Sequence, residues 1–279
     1  MNGQVTINDA AIRSPLVRWS ELVSYRDFVF LLVWREIHLR YRHTAIGIGW
    51  ALLNPLLTMA VFGLIIPNLM DRQTLDRYTG GLPYPLYVYC GVIPWTTFSH
   101  SLTRCCTSLV DQGALLKNMY FPRLALPLSK VLAALVELLI ALAALFVLMA
   151  ILRVPPSRNI VFLPLFFVPL VVGSLGTGLL LSLLQVRYRD VFFVLQFGIQ
   201  LGMLVTPVWF PLEALPPSVR WAVALNPMTA VVQGFRWALI GVTPPKPEVL
   251  ASSALSCTVL LLAGLLFFRQ RQETIADHV

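Results

Sequence analysis

Charged residues are scarce in this sequence. Asp, Glu, Lys and Arg make up 12% of its 279 residues and hydrophobic residues 57%, whereas about 25% of the residues in a typical soluble domain are charged. This composition excludes an ordinary soluble protein and indicates an integral membrane protein. The net charge of +8 is interpreted as a topology signal and as attraction to membrane lipids, with no nucleic acid as a partner.

The motifs of catalysis and metal binding are also missing. No glycine-rich loop is followed by Lys-Ser or Lys-Thr, so the chain has no P-loop, and neither HExxH nor Gly-x-Ser-x-Gly occurs. The four cysteines lie in or beside apolar segments without metal-ligand spacing, and a disulfide framework is not expected. The polar segments are too short to fold as a catalytic domain. We therefore expect no catalytic residue, no metal and no cofactor in this chain.

Residues 22–41 predict a basic amphipathic helix at the membrane interface. Its apolar residues recur at steps of three and four and share one face: Phe30, Val33, Trp34, Ile37 and Tyr41. Basic residues recur on another face: Arg35, His38 and Arg42. Glu36 precedes Arg40 by four residues, which is the favourable order for an ion pair within one helix. Aromatic residues beside a basic face are typical of a helix in the membrane plane.

Six apolar stretches follow that are long enough, or nearly so, to cross a hydrocarbon core of about 30 Å as helices. The predicted spans are residues 45–66, 86–110, 124–152, 160–186, 191–208 and 249–268. Residues 217–241 are apolar but interrupted by prolines, and we interpret them as two re-entrant half-helices. Asn226 is a good N-cap with Pro227 at the first helical position, and Gly241 is a good helix stop.

The predicted fold class is an all-α integral membrane protein with six transmembrane helices. It divides into a cytoplasmic N-terminus with the interfacial helix (residues 1–44), a transmembrane permease domain (45–268) and a cytoplasmic tail (269–279). With the N-terminus inside, the inner segments hold 14 of the 21 Lys and Arg residues and the outer loops hold 7. Both termini are therefore expected to be cytoplasmic, since Lys and Arg concentrate on that side.

Two polar residues inside the predicted spans are candidates for a functional site. Asn54, in the first span, either makes a hydrogen bond between helices, the interpretation we favour, or faces a conduit. Glu137 lies near the middle of the third span, where a carboxylate is costly. We interpret it as a protonated or hydrogen-bonded acid at a helix contact rather than part of a proton relay, because we find no second acid or histidine in a neighbouring span.

Aromatic residues crowd the outer half of the second span: Tyr84, Tyr87, Tyr89, Trp95 and Phe98. An aromatic belt at the lipid interface accounts for them without any further function. The alternative is a set of flat faces on which sugar rings stack. The sequence leaves both interpretations open.

Six short motifs carry a resemblance to a known family. In chain order they are WREIHLRYRHTAIGIGWALLNPLLTM (34–59), YCGVIPW (89–95), LLKNMYFPR (115–123), QVRYRDV (185–191), TPVWFPL (206–212) and ALNPMTAVVQGFRWALIG (224–241). With these motifs the chain resembles the permease subunits of ABC-2 type polysaccharide exporters, which include O-antigen, teichoic-acid and capsule permeases. It is most similar to the O-antigen permeases.

The resemblance implies a complex of two permeases and two ATPase subunits in the cell inner membrane. The ATPases bind ATP and Mg, and the substrate path forms between the two permeases. The substrate is a polysaccharide on a lipid carrier, usually undecaprenyl diphosphate. We place the ATPase-coupling loop at Gly113, Leu115, Leu116, Lys117, Met119, Tyr120 and Arg123. The implied periplasmic gate comprises Pro217, Trp221, Asn226, Pro227, Phe235 and Arg236.

The candidate residues of the substrate path are Arg35, Arg40, Arg42, Asn54, Tyr87, Trp95, Phe98 and Glu137. The three arginines lie at the cytoplasmic mouth, where they either meet the diphosphate or bind anionic lipids. Two rival functions stay open. An ABC-2 permease for a drug or a lipid would have an aliphatic rather than an aromatic conduit. A membrane enzyme acting on lipid-linked sugars would need clustered acids or histidines, and the four histidines of this chain are scattered.

Overall fold

The computed structural model describes residues 23–42, 49–113, 115 and 121–271. Within these ranges the regular secondary structure is helical, without strands. The helices, in chain order, are α1 (Arg26–Tyr41), α2 (Gly49–Leu69), α3 (Arg72–Thr79), α4 (Tyr84–Asp111), α5 (Ala125–Ile151), a 3₁₀ turn (Arg158–Phe162), α6 (Leu163–Arg187), α7 (Val191–Val205), a second 3₁₀ turn (Leu212–Ala214), α8 (Pro217–Ala224), α9 (Pro227–Ile240) and α10 (Pro247–Arg271).

Helix α4 lies at the centre of the bundle and packs against α2, α5, α6, α7 and α9. Of its 28 residues, 21 are buried. Its N-terminal half contributes large, fully buried side chains to the core, among them Tyr87, Tyr89 and Ile93. Because other helices surround α4, its polar groups find partners inside the protein, as they must at membrane depth.

In the part of the chain that the structure describes, four helices are long and apolar enough to cross a membrane: α2, α5, α6 with its preceding 3₁₀ turn, and α10. Helix α7 is apolar but has only 15 residues, fewer than the roughly 20 of a typical span. On α10, four exposed side chains recur at steps of three and four and form one apolar stripe suited to lipid: Leu255, Val259, Leu262 and Leu266. The chain is thus a membrane protein with several apolar helices.

A helix lies at each of the six predicted spans, and the boundaries differ by a few residues. The half-helix segment contains α8 and α9, with 8 and 14 residues. The predicted caps are confirmed, because the Asn226 side chain accepts a hydrogen bond from the backbone N–H of Met228 and Pro227 is the first residue of α9. Gly241 ends α9 with a φ of 72°, a left-handed conformation that glycine adopts without a steric penalty.

The segment between α2 and α4 folds into the short helix α3, held by a cap at each end. The Asp71 carboxylate accepts a hydrogen bond of 2.8 Å from the backbone N–H of Thr74, and Gly80 ends the helix with a φ of 66°. The hydrogen bonds from Thr74 hold the pKa of Asp71 below its usual value. The cap is therefore present at neutral pH and is lost only as the pH falls through this lowered pKa.

Helices α6 and α10 pack closely because glycines line their contact. A Cβ atom on Gly176 would lie 2.5 Å from the backbone nitrogen of Leu261, and one on Gly264 would lie 2.5 Å from the carbonyl oxygen of Gly176. Any side chain at these two positions would push the helices apart. Small residues let the backbones of membrane helices approach in this way.

Helix α1 packs on α5 through a face that the sequence analysis did not single out. Val29 and Leu32 are buried in a cluster that includes Phe121, which lies between α4 and α5. Phe30 and Trp34, from the predicted apolar face, are instead 69% and 61% exposed. They point away from the bundle, where a membrane interface would cover them.

Candidate functional site

A buried carboxylate lies where α1, α4 and α5 meet. Both oxygens of Glu137 are 2.5 Å from Nη2 of Arg104. Nη1 of Arg40 is 3.2 Å from Oε1, and Nδ1 of His100 is 3.1 Å from Oε2. The side chains of Glu137 and Arg104 are 8% and 5% exposed, whereas those of Arg40 and His100 are 37% and 32% exposed. We call these four residues the Glu137 cluster.

The Glu137 cluster overturns the premise that no histidine or acid lies in a neighbouring span. His100 belongs to α4 and precedes Arg104 by four residues, so both side chains project from one face of that helix. Glu137 therefore lies at a helix contact with donors on three sides. The four-residue spacing of His100 and Arg104 was the sequence signal that could have identified its partners.

A second ion pair joins α1 to α5. The ammonium group of Lys130 contacts the carboxylate of Glu36. The predicted ion pair between Glu36 and Arg40 is therefore wrong, because each of these residues pairs with α5 instead. An ion pair within one exposed helix stabilises it by only about 0.3–0.5 kcal/mol. Leaving the buried Lys130 and Glu137 without partners would cost more free energy of folding than that. Glu36 and Arg40 therefore pair with α5 and not with each other.

A stripe of polar residues runs along α4 and includes one member of the Glu137 cluster. Between residues 86 and 109, four positions are partly exposed and all others are buried. The four are Thr96, His100, Thr103 and Thr107, which recur at steps of four and three. Gln196 of α7 donates a hydrogen bond of 3.3 Å to the Thr103 hydroxyl. We call these four residues the α4 polar stripe; their periodicity is visible in the sequence but was missed there.

The predicted aromatic cluster is buried. Tyr87, Trp95 and Phe98 all belong to the core around α4. The Trp95 ring packs so closely on α7 that a Cβ atom on Gly202 would lie 2.8 Å from it. The lipid-belt interpretation is therefore wrong for these three residues, because neighbouring helices cover them. Within this arrangement their faces are also closed to a sugar, which leaves the polar stripe as the accessible surface of α4 between residues 86 and 109.

Arg236, assigned to the gate and counted among the outer loops, lies instead in the core. Its guanidinium carbon is 3.8 Å from the centre of the Tyr87 ring. The guanidinium donates hydrogen bonds to the carbonyl oxygens of Tyr87, Pro207 and Val208, at 3.2 Å and 2.7 Å for the first two. A cation can be buried there because the chain after α7 ends its helix and turns free carbonyl groups toward it. Arg236 thus ties α9 to α4 and to the end of α7.

The other residues that the resemblance assigned to a gate lie on or beside α8 and α9. The Asn226 amide donates a hydrogen bond of 2.8 Å to the hydroxyl of Thr206, which follows α7. Phe235 is fully buried and its ring stacks on Phe167, with the centroids 5.8 Å apart. Pro217 begins α8, and Trp221 is exposed on it. Asn226 and Arg236 therefore both link the half-helices to the end of α7.

The predicted coupling loop is described only in part. Leu116, Lys117, Met119 and Tyr120 lie outside the described residues. Gly113 is buried, Leu115 packs against the cluster around Val29, and Arg123 is partly exposed. The Phe121 ring lies 5.0 Å from the Phe28 ring of α1. Both ends of the loop are therefore anchored on the bundle.

Three other candidates are exposed. Arg35 and Arg42 lie on the surface of α1 and at its end, and Asn54 lies on the surface of α2. The hydrogen bond between helices that we favoured for Asn54 does not form among the described residues. In the same part of the chain no group of three His, Cys, Asp or Glu side chains comes together in the manner of a metal site.

We expect Arg104→Met to lower the unfolding temperature of the purified protein, because it takes the closest partner away from a buried carboxylate. Removing one partner of a buried ion pair costs roughly 3–5 kcal/mol. The double variant Arg104→Met/Glu137→Leu should recover part of the loss, since it removes both of these charges. Arg26→Met, on the exposed start of α1, is the control and should unfold like the wild type. A double variant no more stable than Arg104→Met would contradict this account.

Comparison with known proteins gives two results. The ABC-2 type transporter family matches residues 28–240. The chain is also similar to curated relatives over most of its length. It is 28% identical over 261 residues to the O-antigen export system permease protein RfbA of Myxococcus xanthus, covering 93% of this chain and 98% of the relative. Identity is 23% over 252 residues to the RfbA permease of Klebsiella pneumoniae, covering 90% and 94%.

A third relative is the polysialic acid transport protein KpsM of Escherichia coli, 26% identical over 246 residues, covering 86% of this chain and 92% of the relative. The family match covers most of the chain and includes α4, the Glu137 cluster and both half-helices. The chain therefore belongs to the ABC-2 type transporter family of membrane proteins.

Proposed function

We propose that this chain is the membrane permease of an ABC exporter that moves a lipid-linked polysaccharide of the O-antigen type across the cell inner membrane. The observation that carries the proposal is the similarity to O-antigen export permeases over most of the chain. The α4 polar stripe supports it, because a hydroxyl-rich cargo needs hydrogen-bonding groups along its path. Energy comes from a separate ATPase subunit, which binds ATP and Mg, and this chain has no catalytic role of its own.

The proposed topology has six spans, with α8 and α9 as re-entrant half-helices and both termini in the cytoplasm. Helix α9 has 14 residues and is about 21 Å long at 1.5 Å per residue, which is too short to cross. The Asn226–Thr206 contact and the hydrogen bonds of Arg236 hold the half-helices against the end of α7. That attachment supports their assignment as the periplasmic gate.

The permease works as a homodimer with two ATPase subunits, and the substrate path runs between the two permeases. The α4 polar stripe lines this path. Beside it, α7 exposes Phe193, Phe197 and Leu201, which a second copy would cover. A drug or lipid cargo would favour an aliphatic path, whereas the partly exposed positions of α4 between residues 86 and 109 are three threonines and a histidine.

The loop from Gly113 to Arg123 couples the permease to the ATPase. It directly follows α4, and Phe121 anchors it on α1. Leu115 contributes to that anchoring, so contact with the ATPase is assigned to Leu116, Lys117 and Met119. In such a contact Leu116 and Met119 would form the apolar centre and Lys117 would lie at the polar rim.

Labelling of single cysteines tests the topology. Gln73→Cys and Lys246→Cys, both exposed positions, should react with a membrane-impermeant maleimide from the periplasmic side, and Arg189→Cys only from the cytoplasmic side. The unsubstituted chain is the background control, because its described free cysteines are all buried. Reaction of Lys246→Cys from the cytoplasm would mean that the segment before α10 crosses the membrane.

A substitution in the polar stripe tests the substrate path. Thr103→Leu should strongly reduce polymer at the cell surface and leave lipid-linked polymer inside, because it replaces a hydroxyl on the path by an apolar side chain. Thr258→Leu is the matched control, since Thr258 is exposed on α10 away from the stripe, and export should continue. Equal export by both variants, at equal permease levels, would remove α4 from the path.

The coupling loop is tested with Leu116→Asp. We expect this variant to insert normally but to lose co-purification with the ATPase, because a charge would disrupt an apolar docking contact. Leu69→Asp is the control, since Leu69 is exposed at the end of α2 on the proposed outer side, and it should keep the ATPase. A Leu116→Asp permease that still binds its ATPase and exports polymer would contradict the assignment.

A further inference from the structure

We propose that the Glu137 cluster is a subsite for the phosphate groups of a lipid-linked diphosphate, in which Arg40 and His100 meet the phosphate oxygens and Glu137 is an internal counter-ion. The inference rests on the proposed function, since it names the part of the cargo that this site holds. It is drawn from the charge, the exposure and the position of four side chains.

The cluster holds more positive charge and more donors than its one carboxylate can satisfy. The guanidinium groups of Arg40 and Arg104 carry two positive charges against one negative charge on Glu137. A carboxylate offers about four lone-pair sites, whereas each guanidinium has five N–H donors. Nε of Arg104 is buried and has no hydrogen-bond acceptor among the described residues. The neighbouring Lys130–Glu36 pair is balanced, with one charge of each sign, so a purely structural link needs no such excess.

The excess of positive charge lies on the accessible side of the cluster. Glu137 and Arg104 are 8% and 5% exposed and form the buried base, whereas Arg40 and His100 are 37% and 32% exposed. An anion that reaches the cluster therefore meets Arg40 and His100 first. Guanidinium groups bind phosphate oxygens well because their N–H donors match the spacing of the oxygens. The buried carboxylate limits the positive charge of the empty site.

The cluster also lies where a phosphate between a lipid and a sugar would lie. Arg40 belongs to α1, whose exposed Phe30 and Trp34 suit the lipid side. His100 belongs at the same time to the α4 polar stripe, beside Thr96 and Thr103 on a sugar path. In a lipid-linked polysaccharide the diphosphate joins these two chemically different parts. A cationic subsite between the exposed aromatic residues of α1 and a hydroxyl-lined stripe matches that order of groups.

The test is direct binding to the purified full-length chain in detergent micelles. Farnesyl diphosphate is the probe and farnesol the uncharged control, and both affinities are measured by calorimetry. Wild type should bind the diphosphate and not the alcohol. Arg40→Gln should weaken binding about tenfold or more, as the loss of a charge-assisted hydrogen bond implies. Arg26→Gln, a matched exposed arginine on α1, should bind like the wild type.

His100 and Glu137 give two further arms. His100→Gln should also weaken binding of farnesyl diphosphate. Glu137→Gln should tighten it, because the substitution removes the charge that competes with phosphate. Weaker binding by a folded Glu137→Gln protein, or equal losses for Arg40→Gln and Arg26→Gln, would overturn the proposal. Should Glu137→Gln fail to fold, Arg40→Gln and His100→Gln still decide the question.

The source of the phosphate is settled by competition. In phosphatidylcholine nanodiscs, added phosphatidylglycerol should leave the binding of farnesyl diphosphate unchanged, and inorganic pyrophosphate should compete only at much higher concentration. Full competition by phosphatidylglycerol would make this a general phospholipid headgroup site and overturn the assignment to the carrier. Binding is measured without export. A loss of polymer export with intact diphosphate binding would therefore count against the proposed function alone, and normal export with no binding would count against this subsite alone.

Discussion

A charged group inside an apolar bundle needs a counter-charge or hydrogen bonds within the protein, and in this chain that constraint determines how the helices meet. Glu137 satisfies it with Arg104 and Arg40, so that α1, α4 and α5 converge on one point. Arg236 satisfies it without an acid, through the ring of Tyr87 and backbone carbonyl groups beyond α7. Both solutions involve α4, since Arg104 and Tyr87 belong to it, and α4 is accordingly the helix that the others surround.

The parts of the fold that depend on residues close together along the chain could be predicted from the sequence. The apolar runs gave the long helices, and Asn226 and Gly241 gave the ends of α9, because a cap acts within a few residues. The partners of Glu137 could not be found in this way. Arg104 is 33 residues from Glu137 along the chain, and Arg40 is 97 residues from it. A pattern within a few residues cannot pair side chains that are so far apart in the sequence. The sequence instead suggested a local partner for Arg40, which the buried carboxylate outweighs.

The candidate site was predicted in part, for reasons that hold for membrane helices in general. Lipid and a protein core are both apolar, so an apolar face does not tell which of them it contacts. The apolar pattern of α1 therefore singled out the exposed Phe30 and not the buried Val29 and Leu32. Tyr87 and Trp95 were expected on a surface when they are buried. Polar residues distinguish better between a face toward lipid and a face toward protein or water, because a polar side chain in hydrocarbon costs free energy. Between residues 86 and 109 the partly exposed positions of α4 carry Thr, His, Thr and Thr, and that stripe was the informative pattern.

Helix α4 also connects the proposed energy input with the proposed gate. Its 28 residues extend about 42 Å at 1.5 Å per residue, from the first turn, where Tyr87 contacts Arg236 of α9, to the start of the coupling loop. Packed interiors have low compressibility and transmit strain, so a displacement of that loop can be passed on through a movement of α4. Such a movement carries Arg104 and His100 past Glu137 on α5. The Glu137 cluster is therefore the contact that any shift of α4 against α5 must stretch or exchange, and an anion bound there would be held by both helices at once.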